Sequence, residues 1–196
     1  MPGLPFEHLN LRRNPFGQLP VEERAMVALR DETIALGDGE VGQVIAERGR
    51  GKSTLLWSLA ASEPGAVYAR VAIDTRTPSA TPTGSLYLLD EADLLSRRQL
   101  GRLLGRCRRA LLATHEDLGS RAGRPLRTFR LPALTHARLR AIVTRRIEHV
   151  RRGPGRVPHP PDRLLADLLH RHGDDVRAVQ DELYDLFQQS KDVDDV

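Results

Sequence analysis

Short apolar runs alternate with amphipathic stretches over the first two thirds of the chain. The apolar runs predict five buried strands, at residues 41–47, 66–74, 86–90, 110–114 and 126–131. Apolar positions at helical spacing predict helices between them, at 21–30, 53–61, 94–109 and a short one near 116–122. Strands joined by short crossovers form a parallel sheet with helices on its faces. The pattern therefore predicts an α/β fold whose three-layer core contains a five-stranded parallel sheet.

Beyond Pro132 the apolar spacing is helical throughout. It predicts three helices, at 135–152, 162–172 and 174–189, with Gly173 placed where a helix C-cap is needed. At the other end, prolines and glycines interrupt any regular element up to residue 20. The expected division is an N-terminal arm (1–20), an α/β core (21–132), a small all-helical lid (133–190) and a frayed acidic tail (191–196).

Composition excludes several classes of protein. With 196 residues, 40% of them apolar, the chain can bury one core and a small second module. Its single cysteine, Cys107, excludes an internal disulfide and a cysteine-based zinc site. No apolar run is long enough for a signal peptide or a membrane span. These observations predict a soluble cytoplasmic protein.

Charge is distributed unevenly along the chain. Residues 94–156 carry 17 basic and 3 acidic side chains, whereas the segments on either side are net acidic. On the predicted 94–109 helix, four arginines form one stripe: Arg98, Arg102, Arg106 and Arg109. The block suggests an anionic partner, either nucleic acid or an acidic protein surface. A solvated arginine-rich face explains it equally well.

A phosphate-binding loop is the most specific motif in the sequence. It follows the first predicted strand and consists of Ala46, Glu47, Arg48, Gly49, Arg50, Gly51, Lys52 and Ser53, with Thr54 opening the next helix. Such a loop needs small residues that expose backbone N–H groups, a lysine for the terminal phosphates and a hydroxyl for Mg²⁺. Lys52 is one of only two lysines among 30 basic residues. Only the first position departs from the usual pattern, since Ala46 replaces a glycine.

An acidic pair ends the third predicted strand. Asp90 and Glu91 follow the apolar run Leu86–Leu89. Asp90 lies 38 residues after Lys52. An aspartate in this context binds Mg²⁺, directly or through water, and the glutamate orients and deprotonates the attacking water. The metal ligands are therefore predicted to be Ser53 and Asp90, and the catalytic base Glu91.

With these motifs the sequence resembles the AAA+ ATPases, which implies ATP or ADP as ligand and Mg²⁺ as cofactor. The resemblance implies a polar sensor residue after the fourth strand, for which Thr114 is the first choice and His115 the second. It also implies a second sensor, Arg177, within the stretch Gly173–Arg177. An ordinary surface arginine is the alternative interpretation of Arg177.

More narrowly, the stretches Leu9–Phe16 and Leu126–Ile147 are similar to one branch of these ATPases. That branch includes the general secretion pathway A-type ATPases, the transposition helpers and the origin-recognition ATPases. It implies that Pro15 and Phe16 line the base pocket, although a hydrophobic anchor explains Phe16 as well. It also implies self-association through a trans-acting arginine, with three candidates: Arg121, Arg124 and Arg127. The helix that this branch usually carries between Asp74 and Leu86 is missing.

Two functions follow from the resemblance. The first is an ATP-hydrolysing molecular switch that acts on a protein partner or on its own assembly. The second is a nucleotide-regulated DNA-binding helper of the replication or transposition type, which would use the basic block 94–156. DNA-stimulated hydrolysis with steep salt dependence would distinguish the second from the first.

Overall fold

The structure is a computed structural model that describes residues 6–29 and 34–195. It divides into two compact units, one formed by residues 30–132 and the other by residues 1–29 together with 133–196. Predictions that concern residues 1–5, 30–33 and 196 lie outside the described residues. No helix in the described part of the chain is long and apolar enough to cross a membrane.

The first unit is built on a five-stranded parallel sheet, as the sequence predicts. The strands are β1 (Val41–Ile45), β2 (Ala66–Arg70), β3 (Leu86–Asp90), β4 (Ala110–Thr114) and β5 (Arg127–Arg130), in the spatial order β2-β3-β4-β1-β5. Both β3 and β4 are buried along their whole length. Central strands covered on both faces are apolar at every position, which is why these two read as continuous runs rather than as alternating patterns.

Helices cover both faces of this sheet. The helix α2 (Lys52–Ser62) packs on the face that bears Leu88 and Leu111. The opposite face bears Leu89 and Leu112 and is covered by α3 (Arg97–Leu104) and α4 (Gly119–Ala122). Neighbouring residues of one strand thus feed two different cores. The α/β fold class and the three-layer arrangement are confirmed.

The strand order determines where functional side chains gather. In this order β4 lies between β1 and β3, pairing Ile45 with Thr114 on one side and Leu89 with Leu112 on the other. The carboxyl ends of β1, β3 and β4 therefore meet at one edge of the sheet. Ligands of open parallel sheets bind at this edge, where loops replace the strands.

The second unit is helical. Its helices are α1 (Val21–Val27), α5 (His136–Val150), α6 (Asp162–His172) and α7 (Val176–Gln189). The N-terminal arm belongs to this unit, since Leu9, Leu11 and Phe16 are buried in the same core as Val179 and Phe187. The backbone N–H of Arg12 donates to the carbonyl of Val150 at 2.8 Å, which fixes the arm at the end of α5.

The two compact units differ from the predicted division in where residues 21–29 belong. The helix α1 packs on α5 and groups with the arm and the C-terminal helices, not with the sheet. The functional division into arm, ATPase core and lid stays a prediction.

The helix predicted at 94–109 is present but shorter, at Arg97–Leu104, so its predicted bounds are wrong. A 3-10 turn at Ala92–Leu94 comes first, and α3 begins only after Ser96, whose side chain caps the N–H of Gln99. The helix ends at Leu104, followed by Gly105 at its C-cap. Glycine disfavours helix continuation, and a capping box fixes the start of a helix. The apolar spacing of this stretch extends beyond both ends of the actual helix.

Because α3 ends at Leu104, the four arginines of the predicted stripe do not lie on one helix. Arg109 lies directly before β4, where its guanidinium forms an ion pair with Glu63 and donates to the carbonyls of Ser85, at 3.2 Å, and Leu36, at 3.3 Å. It joins three segments of its own chain and is not part of an exposed basic surface. Arg98 and Arg102 remain together on the exposed face of α3.

Candidate nucleotide-binding site

The loop between β1 and α2 has the backbone of a phosphate-binding loop. Gly49 and Gly51 both have positive φ, 80° and 92°, a conformation that residues with a side chain rarely adopt. Gly51 is the N-cap of α2, and no atom lies within 4 Å of where its Cβ would be. The loop therefore leads directly into a helix N-terminus, where backbone N–H groups can bind phosphate. The departure at Ala46 is compatible with this backbone, since its N–H continues the ladder to Thr114.

Lys52 is buried at the start of α2, with 8% of its surface exposed. Its Nζ donates to the carbonyls of Ala46, at 2.6 Å, and Glu47, at 2.9 Å, and lies 3.2 Å from Nδ1 of His115. Burial lowers the pKa of the ammonium, while the carboxylates of Glu91 and Asp90 act against this shift. The lysine thus lies across the loop, with nearby carboxylates favouring its charged form.

Asp90 is almost fully buried at the end of β3, with 2% of its surface exposed. Each of its carboxylate oxygens accepts one hydrogen bond: Oδ2 from the hydroxyl of Tyr68 at 3.0 Å and Oδ1 from the N–H of Glu91 at 3.1 Å. Two donors on two oxygens fix the orientation of the carboxylate. Burial, followed by the negative charge of Asp90, raises the pKa of Tyr68, so its hydroxyl stays a donor at all physiological pH values.

Tyr68 is a site residue that sequence reasoning missed. It lies on β2, which pairs with β3 so that Tyr68 is opposite Leu88. Its ring is 6.0 Å from that of Trp57 on α2. A tyrosine in a strand is normally a core residue, and only the pairing of β2 with β3 brings its hydroxyl to Asp90. The sequence contains no signal for that contact.

Glu91 occupies a strained turn directly after the strand. Its φ is 58°, which is unusual for a residue with a side chain. Oε1 lies 3.4 Å from the guanidinium of Arg70, and Oε2 lies 3.5 Å from Nε2 of His115. Three-quarters of its side chain is shielded from solvent. Backbone strain of this kind recurs at functional sites, where it aims a side chain.

The two sensor candidates have different surroundings. Thr114 is fully buried, and its hydroxyl donates to the carbonyl of Glu116 at 2.8 Å while accepting from the N–H of Glu116. Its hydrogen-bonding capacity is used inside the turn. His115, the next residue, lies between Lys52 and Glu91 instead. Of the two, His115 is the side chain that the structure brings to the loop.

The oxygen donors expected to bind Mg²⁺ suit that ion. Mg²⁺ prefers hard oxygen ligands, one or two of them from protein with the rest from phosphates and water. Asp90 supplies an oriented carboxylate. Ser53 supplies a hydroxyl for which no hydrogen-bond partner is seen among the described residues. Both residues therefore fit the ion.

Three of the predicted site residues lie in the helical unit. Arg177 is on the first turn of α7, where Asp175 caps the helix, and its exposed side chain makes no hydrogen bond or ion pair with the residues that the structure describes. Pro15 and Phe16 are buried. The Phe16 ring packs edge-on against Phe187, with centroids 5.1 Å apart. Phe16 therefore anchors the arm, and a contact of either residue with a base stays a prediction.

All three arginine-finger candidates contact their own chain. Arg121 pairs with Glu116 and donates to the carbonyl of Asp93 at 3.0 Å. Arg124 donates to the carbonyl of Gly39 at 2.6 Å, and Arg127 to that of Ala35 at 2.9 Å. The Arg127 side chain is 54% exposed and that of Arg121 28%. Arg121 is thus the most firmly bound to its own chain.

Comparison with known proteins identifies solved structures with a similar fold. No family model and no curated protein matches the sequence. Domain III of the replication initiation protein DnaA from Thermotoga maritima matches with a TM-score of 0.53 at 14% identity, over 74% of either chain. A replication initiator DnaA bound to AMPPCP and single-stranded DNA matches with a TM-score of 0.53 at 13% identity, over 86% of this chain and 59% of that one.

The Orc1 protein of Aeropyrum pernix, solved in complex with DNA, matches with a TM-score of 0.51 at 19% identity. That match covers 86% of this chain and 56% of Orc1, so the present sequence spans little more than half of the longer initiators. At such identities the likeness concerns the fold. The chain therefore shares the α/β fold of these replication initiators, which is that of the AAA+ P-loop proteins.

Proposed function

We propose that the chain binds ATP together with Mg²⁺ and hydrolyses it, acting as a AAA+-type molecular switch. One observation carries this proposal: the buried Lys52, the oriented Asp90 and the strained Glu91 converge at the edge of the sheet beside the glycine-rich loop. A parallel sheet does not need these three side chains to meet at its edge in order to fold. It is the arrangement that phosphoryl transfer needs.

Each residue has a distinct role in the proposed reaction. The loop N–H groups and Lys52 bind the phosphates, with Lys52 exchanging its carbonyl partners for phosphate oxygens. Asp90 and Ser53 hold Mg²⁺, which would neutralise charge on the phosphates. Glu91 accepts the proton of the attacking water. His115 contacts the terminal phosphate in place of Thr114.

The central test separates binding from turnover. Glu91→Gln should bind ATP as the wild type does but lose about 10²- to 10⁴-fold in turnover, because glutamine orients a water without accepting its proton. Equilibrium binding and phosphate release measure the two quantities. Glu116→Gln is the matched control, since that side chain is 60% exposed. Wild-type protein that shows no Mg²⁺-dependent ATP binding would refute the proposal.

A second candidate function is nucleotide-regulated DNA binding, and α3 and the turn after it favour it. Four arginines there are exposed and have no partner among the described residues: Arg97, Arg98, Arg102 and Arg106. Guanidinium groups grip phosphates in bidentate fashion. No aromatic residue accompanies them, so the expected binding is to the backbone and independent of sequence. Two structural neighbours were solved with DNA.

The salt dependence of DNA binding tests this second function. Replacing the four arginines with alanine should lower DNA affinity and reduce the slope of log affinity against log salt by about 1 for each phosphate that is no longer neutralised. The matching lysine variant keeps the charge and should retain most of the affinity. Arg163→Ala, an exposed arginine outside the basic block, is the control. An unchanged salt slope in the alanine variant would exclude α3 as a DNA-binding surface.

A further inference from the structure

Three metal-ligating side chains meet beside the nucleotide loop: Glu91, Asp93 and His115. One ligand atom from each lies within 4.8 Å of the other two. Nε2 of His115 and Oε2 of Glu91 are 3.5 Å apart. Two ligands of a tetrahedral ion with bonds of about 2.1 Å lie about 3.4 Å apart. The histidine and the glutamate therefore already have the spacing of two ligands of a shared ion, and Asp93 lies within the same cluster.

Two atoms of this cluster are buried without a partner. Nε2 of His115 and Oδ1 of Asp93 are shielded from solvent, and neither makes a hydrogen bond within the described ranges. An unsatisfied buried polar atom costs about 1–3 kcal/mol. Native proteins keep few such atoms, and those that remain call for an explanation such as a bound ion. Here two of them belong to the same small cluster.

The hydrogen bonds of Glu91 leave the relevant oxygen available. Its Oε1 faces Arg70 at 3.4 Å, whereas Oε2 faces His115. One imidazole nitrogen with two carboxylate oxygens suits Zn²⁺, for which histidine is a common ligand. Mg²⁺ is disfavoured because it prefers an octahedral shell of oxygens. We propose that Glu91, Asp93 and His115 form a cation site for Zn²⁺ or a similar nitrogen-binding divalent ion, separate from the Mg²⁺ site at Ser53 and Asp90.

Binding of such an ion changes the contact between His115 and Lys52. A neutral imidazole has one acceptor nitrogen, so an ion on Nε2 puts the ring proton on Nδ1. Nδ1 can then no longer accept from the ammonium of Lys52, which lies 3.2 Å away. Lys52 keeps its two carbonyl partners, Ala46 and Glu47. The ion therefore costs this protein one hydrogen bond but satisfies both orphaned atoms.

Occupancy of the site removes Glu91 from catalysis. A carboxylate bound to Zn²⁺ cannot accept a proton from water, so the ion should inhibit hydrolysis without preventing ATP binding. This consequence rests on the proposed ATPase function, whereas the metal site itself does not. The two are therefore tested by separate measurements.

Cobalt is the probe, because Co²⁺ bound to nitrogen and oxygen absorbs visible light and replaces Zn²⁺ at such sites. Nucleotide-free wild-type protein should develop visible absorption on titration with Co²⁺, and this absorption should disappear on addition of Zn²⁺ but not of a large excess of Mg²⁺. Asp93→Asn and His115→Ala should each weaken Co²⁺ binding on the order of 10- to 100-fold or more. His170→Ala removes an exposed histidine of α6 and should leave the titration unchanged.

Separate outcomes decide the site and its consequence. Absence of the visible band, or equal affinity of the wild type and Asp93→Asn, overturns the metal site whatever the protein does with ATP. Binding of Co²⁺ by a protein that does not hydrolyse ATP leaves the site standing and removes the proposed function. In an active protein, Zn²⁺ should inhibit the wild type at lower concentrations than Asp93→Asn. Equal inhibition of the two would show that Zn²⁺ acts elsewhere.

Discussion

At the scale of single residues, the site depends on a few contacts between neighbouring strands. The hydrogen bond from Tyr68 to Asp90 is the clearest, because it links an edge strand to the carboxylate expected to bind Mg²⁺. A carboxylate held by two donors keeps one orientation, and the lone pairs not used by these donors stay available to a metal ion. We therefore assign Tyr68 a positioning role.

Tyr68→Phe should raise the Mg²⁺ concentration for half-maximal hydrolysis by about 5- to 10-fold, corresponding to a hydrogen bond of roughly 1–1.5 kcal/mol. ATP binding measured in chelator should not change, since the hydroxyl of Tyr68 bonds to Asp90 and makes no hydrogen bond to the described residues of the loop. Tyr87→Phe is a matched control, because that hydroxyl donates to the carbonyl of Ala80 at 2.6 Å on a different part of the chain. A similar Mg²⁺ requirement in the wild type and Tyr68→Phe would exclude the positioning role.

At the scale of elements, the arm is a structural part of the helical unit. Arg146 on α5 joins the two: its Nε donates to the carbonyl of Pro15 at 2.7 Å and its Nη2 to that of Gly17 at 2.8 Å. The guanidinium also lies 5.9 Å from the centroid of the Phe16 ring. Burial lowers the pKa of Arg146 to about 10, so the side chain remains charged at neutral pH. This charged clamp fixes the Asn-Pro-Phe segment.

Arg146→Met should destabilise the helical unit by about 2–4 kcal/mol, because two carbonyls lose charged donors while the apolar stem is kept. Urea denaturation followed by circular dichroism measures the change. The control is Arg140→Met on the same helix, which removes an exposed ion pair with Asp162; the expected cost is below about 1 kcal/mol. Equal effects of the two substitutions would mean that the clamp contributes nothing beyond an ordinary surface pair.

At the scale of the whole molecule, the question is whether one chain contains a complete site. The resemblance of the sequence to AAA+ ATPases implies a site completed by the arginine of a neighbouring copy, and we propose such a site here. Arg121 is the weakest of the three candidates because its contacts with Glu116 and Asp93 tie it to its own chain. Arg124 and Arg127 are the better ones, and Arg127 is exposed.

Specific ATPase activity should therefore rise with protein concentration, since a trans-acting arginine is worth on the order of 10³-fold in rate. Mixing Glu91→Gln with Arg127→Ala should restore turnover above that of either variant alone, because a mixed interface contains one intact glutamate and one intact arginine. Mixing Glu91→Gln with Arg124→Ala gives the parallel test of the other candidate. A chain that remains monomeric with ATP, with activity independent of concentration, would exclude this mechanism.

The sequence by itself determined the fold class and the strands, since buried parallel strands and a glycine-rich turn before a helix leave local signals. It also proposed Lys52, Asp90 and Glu91 as site residues, because each of the two motifs that contain them is confined to a few consecutive residues. Tertiary structure alone decided which side chains meet them. Tyr68, Arg70 and His115 reach the site from β2 and β4 only because those strands flank β3, and pairing between strands has no local signal. The role of Arg109 in the basic block was likewise decided by tertiary structure. The sequence does not distinguish an exposed arginine from one that, like Arg109, joins three segments of its own chain. Partners distant in sequence determine its role.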